Sequence, residues 1–158
     1  MTIQTMRRRV LTGAAAIAVT LAAACGGTSG PPAPRDVVLG VDVCEYCHMS
    51  VDEPDFAAQW VAADGRKLVF DEPGCLLAWL DDHAGAKGTA FVADAEGTGW
   101  LPATEASFVH GGVSTAMGFD IRAFRSRDAA EKVAAETGGA VRDWATLISK
   151  GVGNAHTH

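Results

Sequence analysis

Positive charge is scarce in this chain. Thirteen Lys and Arg stand against 19 Asp and Glu, a formal net charge of −6 over 158 residues. Three of the cations, Arg7, Arg8 and Arg9, lie in an opening stretch of 24 residues that holds no acid, so the remainder carries −9. That balance excludes a nucleic-acid binder, which needs basic surface to meet backbone phosphates. It also offers no attraction to anionic lipid head groups. A membrane-spanning run is missing too: the apolar stretch Val10 to Leu21 is too short to cross a bilayer. No nucleophile elbow, P-loop or dinucleotide fingerprint occurs. There is no second CxxC and no HxxxH to complete a four-ligand zinc site.

What stands at the N-terminus is an export leader. Residues 1–24 combine a basic start, a short apolar run and small residues before Cys25, the pattern of a signal peptide. Arg8-Arg9 suits Tat export and the same stretch suits Sec. Leu21-Ala22-Ala23-Ala24-Cys25 resembles a bacterial lipobox, with Ala22 where Leu is usual; on that reading Cys25 carries the lipid anchor, and on the plainer one the protein is secreted with a free Cys25. Residues 25–36, rich in Gly and then Pro, read as a tether between anchor and domain. The domain is expected over 37–150 and a loose His-containing tail over 151–158. Such a protein would be extracytoplasmic, held to the membrane by lipid, and a monomer.

Export places the thiols in an oxidising compartment, where a free thiol needs a metal, a reductant or a partner. With Cys25 assigned to lipid, three cysteines remain, Cys44, Cys47 and Cys75, which cannot all pair within the chain. Cys44-Glu45-Tyr46-Cys47-His48-Met49 concentrates two thiols, an imidazole and a thioether in six residues. Soft sulfur ligands favour Cu(I). If this stretch were extended, Cys47 and Met49 would face one side and His48 the other. Three other readings stay open: a Cys44–Cys47 redox pair, half of a zinc site, or a disulfide such as Cys44–Cys75. Cys75 itself falls on the apolar stripe of a helix and reads as a buried thiol or disulfide partner.

The elements follow from pattern. Residues 36–43 read as a strand or extended arm. Strands are expected at 56–62 and 67–70 around the Asp64-Gly65 turn, then at 90–94, at 100–101 and within 118–124, with 107–112 strand then loop. Asp71 is expected to cap a helix that opens at Pro73 and stops near His83-Ala84-Gly85. Ser126 should cap a helix to about Thr137, ended by Gly138-Gly139, and Asp143 a last one over 144–150. Phe70-Asp71 and Phe124-Arg125-Ser126 occupy equivalent places 54 residues apart. The fold class is therefore α+β: two similar ββα(β)-type halves with antiparallel strands, packed as one small domain.

Cys47-His48-Met49 near the start of a lipoprotein resembles the Cys-Gly-Met motif of the NosL-type accessory proteins of nitrous oxide reductase. Further matches follow in order: Gln59, Asp64-Gly65, Phe70-Asp71, Phe91-Val92-Ala93-Asp94, Trp100, Met117-Gly118, Phe124 with Ser126 and Asp128-Ala129, and Gly138-Gly139. The resemblance covers about 43–141. It implies a tandem ββαβ-like fold and a membrane-anchored Cu(I) chaperone, not an enzyme. It also implies delivery through an ABC-type assembly complex to nitrous oxide reductase or a similar exported copper enzyme. The ligands it implies are Cys47, Met49 and Met117. His48 stands where the family has Gly, and Phe119 where it often has a ligating His; His48, His110 and Cys44 are the candidates to make up the set. The reading from a different class is a thiol–disulfide oxidoreductase working through Cys44 and Cys47.

Overall fold

The computed structural model describes residues 30–152. The leader, Cys25 and the histidines of the tail lie outside the described residues, as do residues 26–29 of the tether. No helix among the described residues is long and apolar enough to cross a membrane.

The described chain runs β1 (Ala58–Ala62), β2 (Lys67–Phe70), α1 (Pro73–Asp82), β3 (Gly88–Ala93), β4 (Trp100–Pro102), β5 (Ser107–His110), β6 (Ile121–Phe124), α2 (Arg127–Thr137), β7 (Ala140–Arg142) and α3 (Trp144–Lys150). Two sheets result, ordered β2-β1-β3-β4 and β6-β5-β7, and every strand pairing is antiparallel. Each half has the same wiring. A hairpin leads into a helix, and the following strand returns to the free side of the hairpin's first strand. β3 pairs β1 with Trp60 opposite Ala90, and β7 pairs β5 with Val109 opposite Val141. This is the α+β double ββαβ expected from the sequence, with β4 added to the first sheet. The short β7 went unseen beforehand: its three residues are all half-buried and carry no alternation.

Local chemistry explains most boundaries. Gly65 takes φ +88° in the β1–β2 turn, a conformation that costs glycine nothing. Ser126 accepts a hydrogen bond from the Ala129 N–H, and Gly138 ends α2 at φ +76°. Asp143 caps α3 through the Thr146 N–H at 2.7 Å. One cap departs from expectation. The N-cap of α1 is Glu72 rather than Asp71, Pro73 holds the first turn, and no side chain caps it. The arm 36–43 is not a strand: only a single bridge, Val43 with Ser50, forms there.

One core spans both halves. Phe70, Leu76, Val92 and Leu101 of the first half meet Phe108 and Ile121 of the second, all at most 2% exposed. The halves are also stitched by polar contacts. Asp94, 1% exposed, accepts from the N–H groups of Glu96 and Arg125 and from the Thr98 hydroxyl. The Ala95 N–H donates to the Ala123 carbonyl at 2.9 Å.

Candidate metal site

The segment that carries Cys44 and Cys47 is pinned from both sides. Gln59, buried in β1, exchanges two hydrogen bonds with the backbone of Arg35, its Nε2 donating at 2.7 Å and its Oε1 accepting at 3.0 Å. The Arg35 guanidinium then grips Asp42 through both carboxylate oxygens at 2.6 Å. The Val51 N–H donates to the Asp42 carbonyl, the Cys44 N–H to that of Met49, and the His48 N–H to that of Cys44. Last, the Glu45 N–H bonds the Val69 carbonyl and docks the loop on β2. Residues 45–47 are a turn, and His48 sits at φ +62°. The stretch is a tight loop rather than an extended strand, so the alternation argued for Cys47 and Met49 does not describe it.

The turn brings Cys44 and Cys47 against Cys75 in the first turn of α1. The three sulfurs lie within 4.8 Å of one another and none is oxidised. Among the described residues this is the one cluster of three or more Cys, His, Asp or Glu groups of that kind. Cys44 and Cys75 are fully buried, whereas Cys47 is half-buried at the surface.

The trio is electrostatically graded. The hydrogen bond with Cys75 holds the Cys44 thiol down to about 5 against the cost of burial, helped by backbone groups of Cys47, Asp71 and Tyr46. Cys75 is pushed up, first by serving that bond and then by burial. Cys47 is pushed up to about 11, mainly by burial. The geometry thus favours ionisation at Cys44 over its two neighbours. Two buried carboxyls flank them. Asp71 is raised to about 6 by burial and then by the Cys44 charge, and burial likewise raises Glu72. From residue 36 to 65 there are seven acids and no Lys or Arg. Arg35 and Arg66, just outside that stretch, pair with Asp42 and Asp64 and leave its other acids in excess.

Neither His48 nor His110 belongs to this cluster. Met49 is 43% exposed beside the loop mouth, and His48 is exposed. Met117 is half-buried, its N–H bonded to Glu72 Oε1 at 3.0 Å, in the loop between β5 and β6. His110 ends β5, opposite Ile121. Phe119 is a packing residue: it meets Tyr46 with ring centroids 6.4 Å apart, and it lies so close to Gly74 that no Cβ fits there. Cys75 was expected as a buried thiol or disulfide partner, and it is buried and unpaired. The signal that it does more was its place in the first turn of a helix entered directly from a strand, together with the odd thiol it leaves among three. A groove of about 1070 Å³, lined by Tyr46, Trp60, Leu77, Trp144 and Leu147 among others, has none of the thiols in its lining.

The sequence model of the NosL family matches residues 38–151, nearly three-quarters of the chain. The chain belongs to the NosL family. A solved relative of that family, the copper chaperone NosL from Shewanella denitrificans, superposes with a TM-score of 0.68 at 19% identity, over 77% of this chain and 100% of that one. At that identity the likeness establishes the NosL fold. Comparison with curated proteins gives no match. The family match takes in Cys44, Cys47, Cys75 and Met117, so the thiol trio lies inside the NosL domain.

Proposed function

We propose that this protein is an extracytoplasmic Cu(I) chaperone, anchored through Cys25, that delivers copper for maturation of nitrous oxide reductase or a similar exported copper enzyme. An ABC-type assembly complex receives the metal. The observation that carries the reading is the cluster of Cys44, Cys47 and Cys75 within 4.8 Å in a NosL-family domain. Three sulfurs suit Cu(I), which accepts low coordination, whereas structural zinc sites are closed by four ligands. The predominantly acidic surroundings favour a bound cation. The name of the solved relative points the same way.

The arrangement supports both capture and release. Cys44 is the thiol most readily ionised, and the thiols lose their protons as copper binds. Cys44 and Cys75 close the inner side of the site. Cys47, with Met49 exposed close by, faces solvent, where a partner's sulfur or imidazole enters the copper shell before an inner ligand leaves. The oxidoreductase reading fares worse. Its attacking thiol must be exposed and readily ionised, yet the thiol whose ionisation is favoured, Cys44, is fully buried, and burial pushes the accessible one, Cys47, up.

The test is Cu(I) titration of the reduced chain from residue 26 onward against a chromophoric competitor. One tight equivalent is expected. Cys44→Ser, Cys47→Ser and Cys75→Ser should each weaken it by more than about tenfold, the range that even outer contacts to a metal command. Failure of the wild type to compete, or three serine variants that bind as well as it does, sinks the reading.

A further inference from the structure

Glu72 is fully buried, and it stands at the N-cap of α1 without capping it. Its side chain turns away from its own helix. Oε1 accepts the Met117 N–H at 3.0 Å, across 45 residues of sequence, and Oε2 is buried with no partner. A carboxyl out of water is costly unless fully hydrogen-bonded, and an unused cap is a second loss. Glu72 thus forgoes the stabilising role its position offers. Its main chain meanwhile serves the thiol site, since the Glu72 carbonyl accepts the Cys75 N–H at 3.1 Å. One residue therefore grips the helical turn that bears Cys75 and the loop that bears Met117.

That loop is tied together internally. The Gly118 N–H bonds the Thr115 carbonyl at 3.1 Å, the Asp120 N–H bonds Thr115 Oγ1 at 3.0 Å, and the Gly111 N–H bonds the Asp120 carbonyl at 2.8 Å. Gly118 and Asp120 adopt φ of +70° and +56°. Phe119, next to them, seats against the bare backbone of Gly74. Whatever fixes Met117 N fixes the whole turn relative to α1.

We propose that Glu72 is a positioning residue of the copper site: its carboxylate holds the 115–120 turn on the first turn of α1, so that the Met117 thioether is presented to the thiols of Cys44, Cys47 and Cys75. The inference rests on the Cu(I) reading above. Groups that orient a metal ligand command about 10–100-fold in affinity, which sets the size of the effect.

The experiment labels the methionine methyl groups with carbon-13 and follows them by NMR while the reduced chain from residue 26 onward takes up one equivalent of Cu(I). Affinity is measured in parallel by chelator competition. In the wild type the Met117 resonance shifts, assigned by its loss in Met117→Leu. In Glu72→Ala that shift disappears and affinity falls by about 10–100-fold. Glu72→Gln, which keeps an oxygen for the Met117 N–H, restores both. Glu72→Asp keeps the charge but shortens the reach by one methylene, so it should behave as the alanine variant does, and it decides the matter if the alanine variant does not fold. An unchanged Met117 shift in both shortened variants overturns the proposal, as does a glutamine variant no better than alanine. Cu(I) binding with a silent Met117 in the wild type overturns the positioning role alone. No Cu(I) binding at all overturns the copper reading and this role together.

Discussion

At the residue scale, the site depends on a side chain that is absent as much as on those present. Gly74 lies between Glu72 and Cys75, and any Cβ there would run into the Phe119 ring. Gly74→Ala should therefore not act as a mild helix-favouring change. Overpacking a buried contact costs about 1–3 kcal/mol, well beyond the roughly 1 kcal/mol that alanine gains over glycine in a helix. Urea unfolding should show a net loss of stability, and relief by Phe119→Leu in the double variant identifies the clash as its cause. A Gly74→Ala protein as stable as the wild type would mean that Phe119 does not bear on α1. The same pair accounts for Phe119 as a packing residue. The position is 3% exposed and packs between Gly74 and the Tyr46 ring, so it is an apolar seat here.

At the element scale, α3 is the piece held most by a single polar group. Trp144 packs on Phe108 with centroids 5.7 Å apart, and Leu147 is 2% exposed, but the helix is only seven residues long. Its start relies on Asp143, whose carboxyl is held below its ordinary value of 3.8 by the hydrogen bonds to Thr146. A group with a lowered folded-state pKa stabilises fully above its unfolded value, and that contribution fades as pH falls through the folded value. Wild type should thus melt above Asp143→Ala at neutral pH, and the gap should close as pH drops below the ordinary carboxylate range. A gap that persists unchanged at about pH 2 would rule out the charged cap as its source. This helix, its cap and its length were legible from sequence, as was α2 with Ser126 and Gly138, because capping is a local code. The α1 cap was misread for the complementary reason. Asp71-Glu72-Pro73 looks like a local start signal, but Glu72 is taken up by Met117, 45 residues away, and nothing local announces that. Cys44 and Cys47 were readable from their spacing. Cys75 joins them only because the 44–49 loop docks on Val69 beside the entrance to α1, a tertiary fact.

At the scale of the whole molecule, the two ββαβ halves share one core, and the candidate site draws on both: thiols from the first, the Met117 turn from the second. Asp94 and the Ala95–Ala123 bond keep the halves in register. An unfolded chain keeps residues 44 and 47 close but places 75 and 117 far from them, so a metal that needs all of them together favours the folded state. Ligand that selects the folded state stabilises it by about 2.7 kcal/mol at a free concentration 100 times its Kd. For a domain of this size that amounts to roughly 10 °C in Tm. Anaerobic melting with a buffered excess of Cu(I) should therefore raise a single transition by about that much, and not merely sharpen a local one. Cys75→Ser should lose most of the rise, and Met117→Leu part of it. Residual binding of copper by cysteines in the unfolded chain trims the rise without removing it. If copper lifts Cys75→Ser as far as wild type, the metal is held by the 44–49 loop alone, and α1 and the second half have no part in binding it.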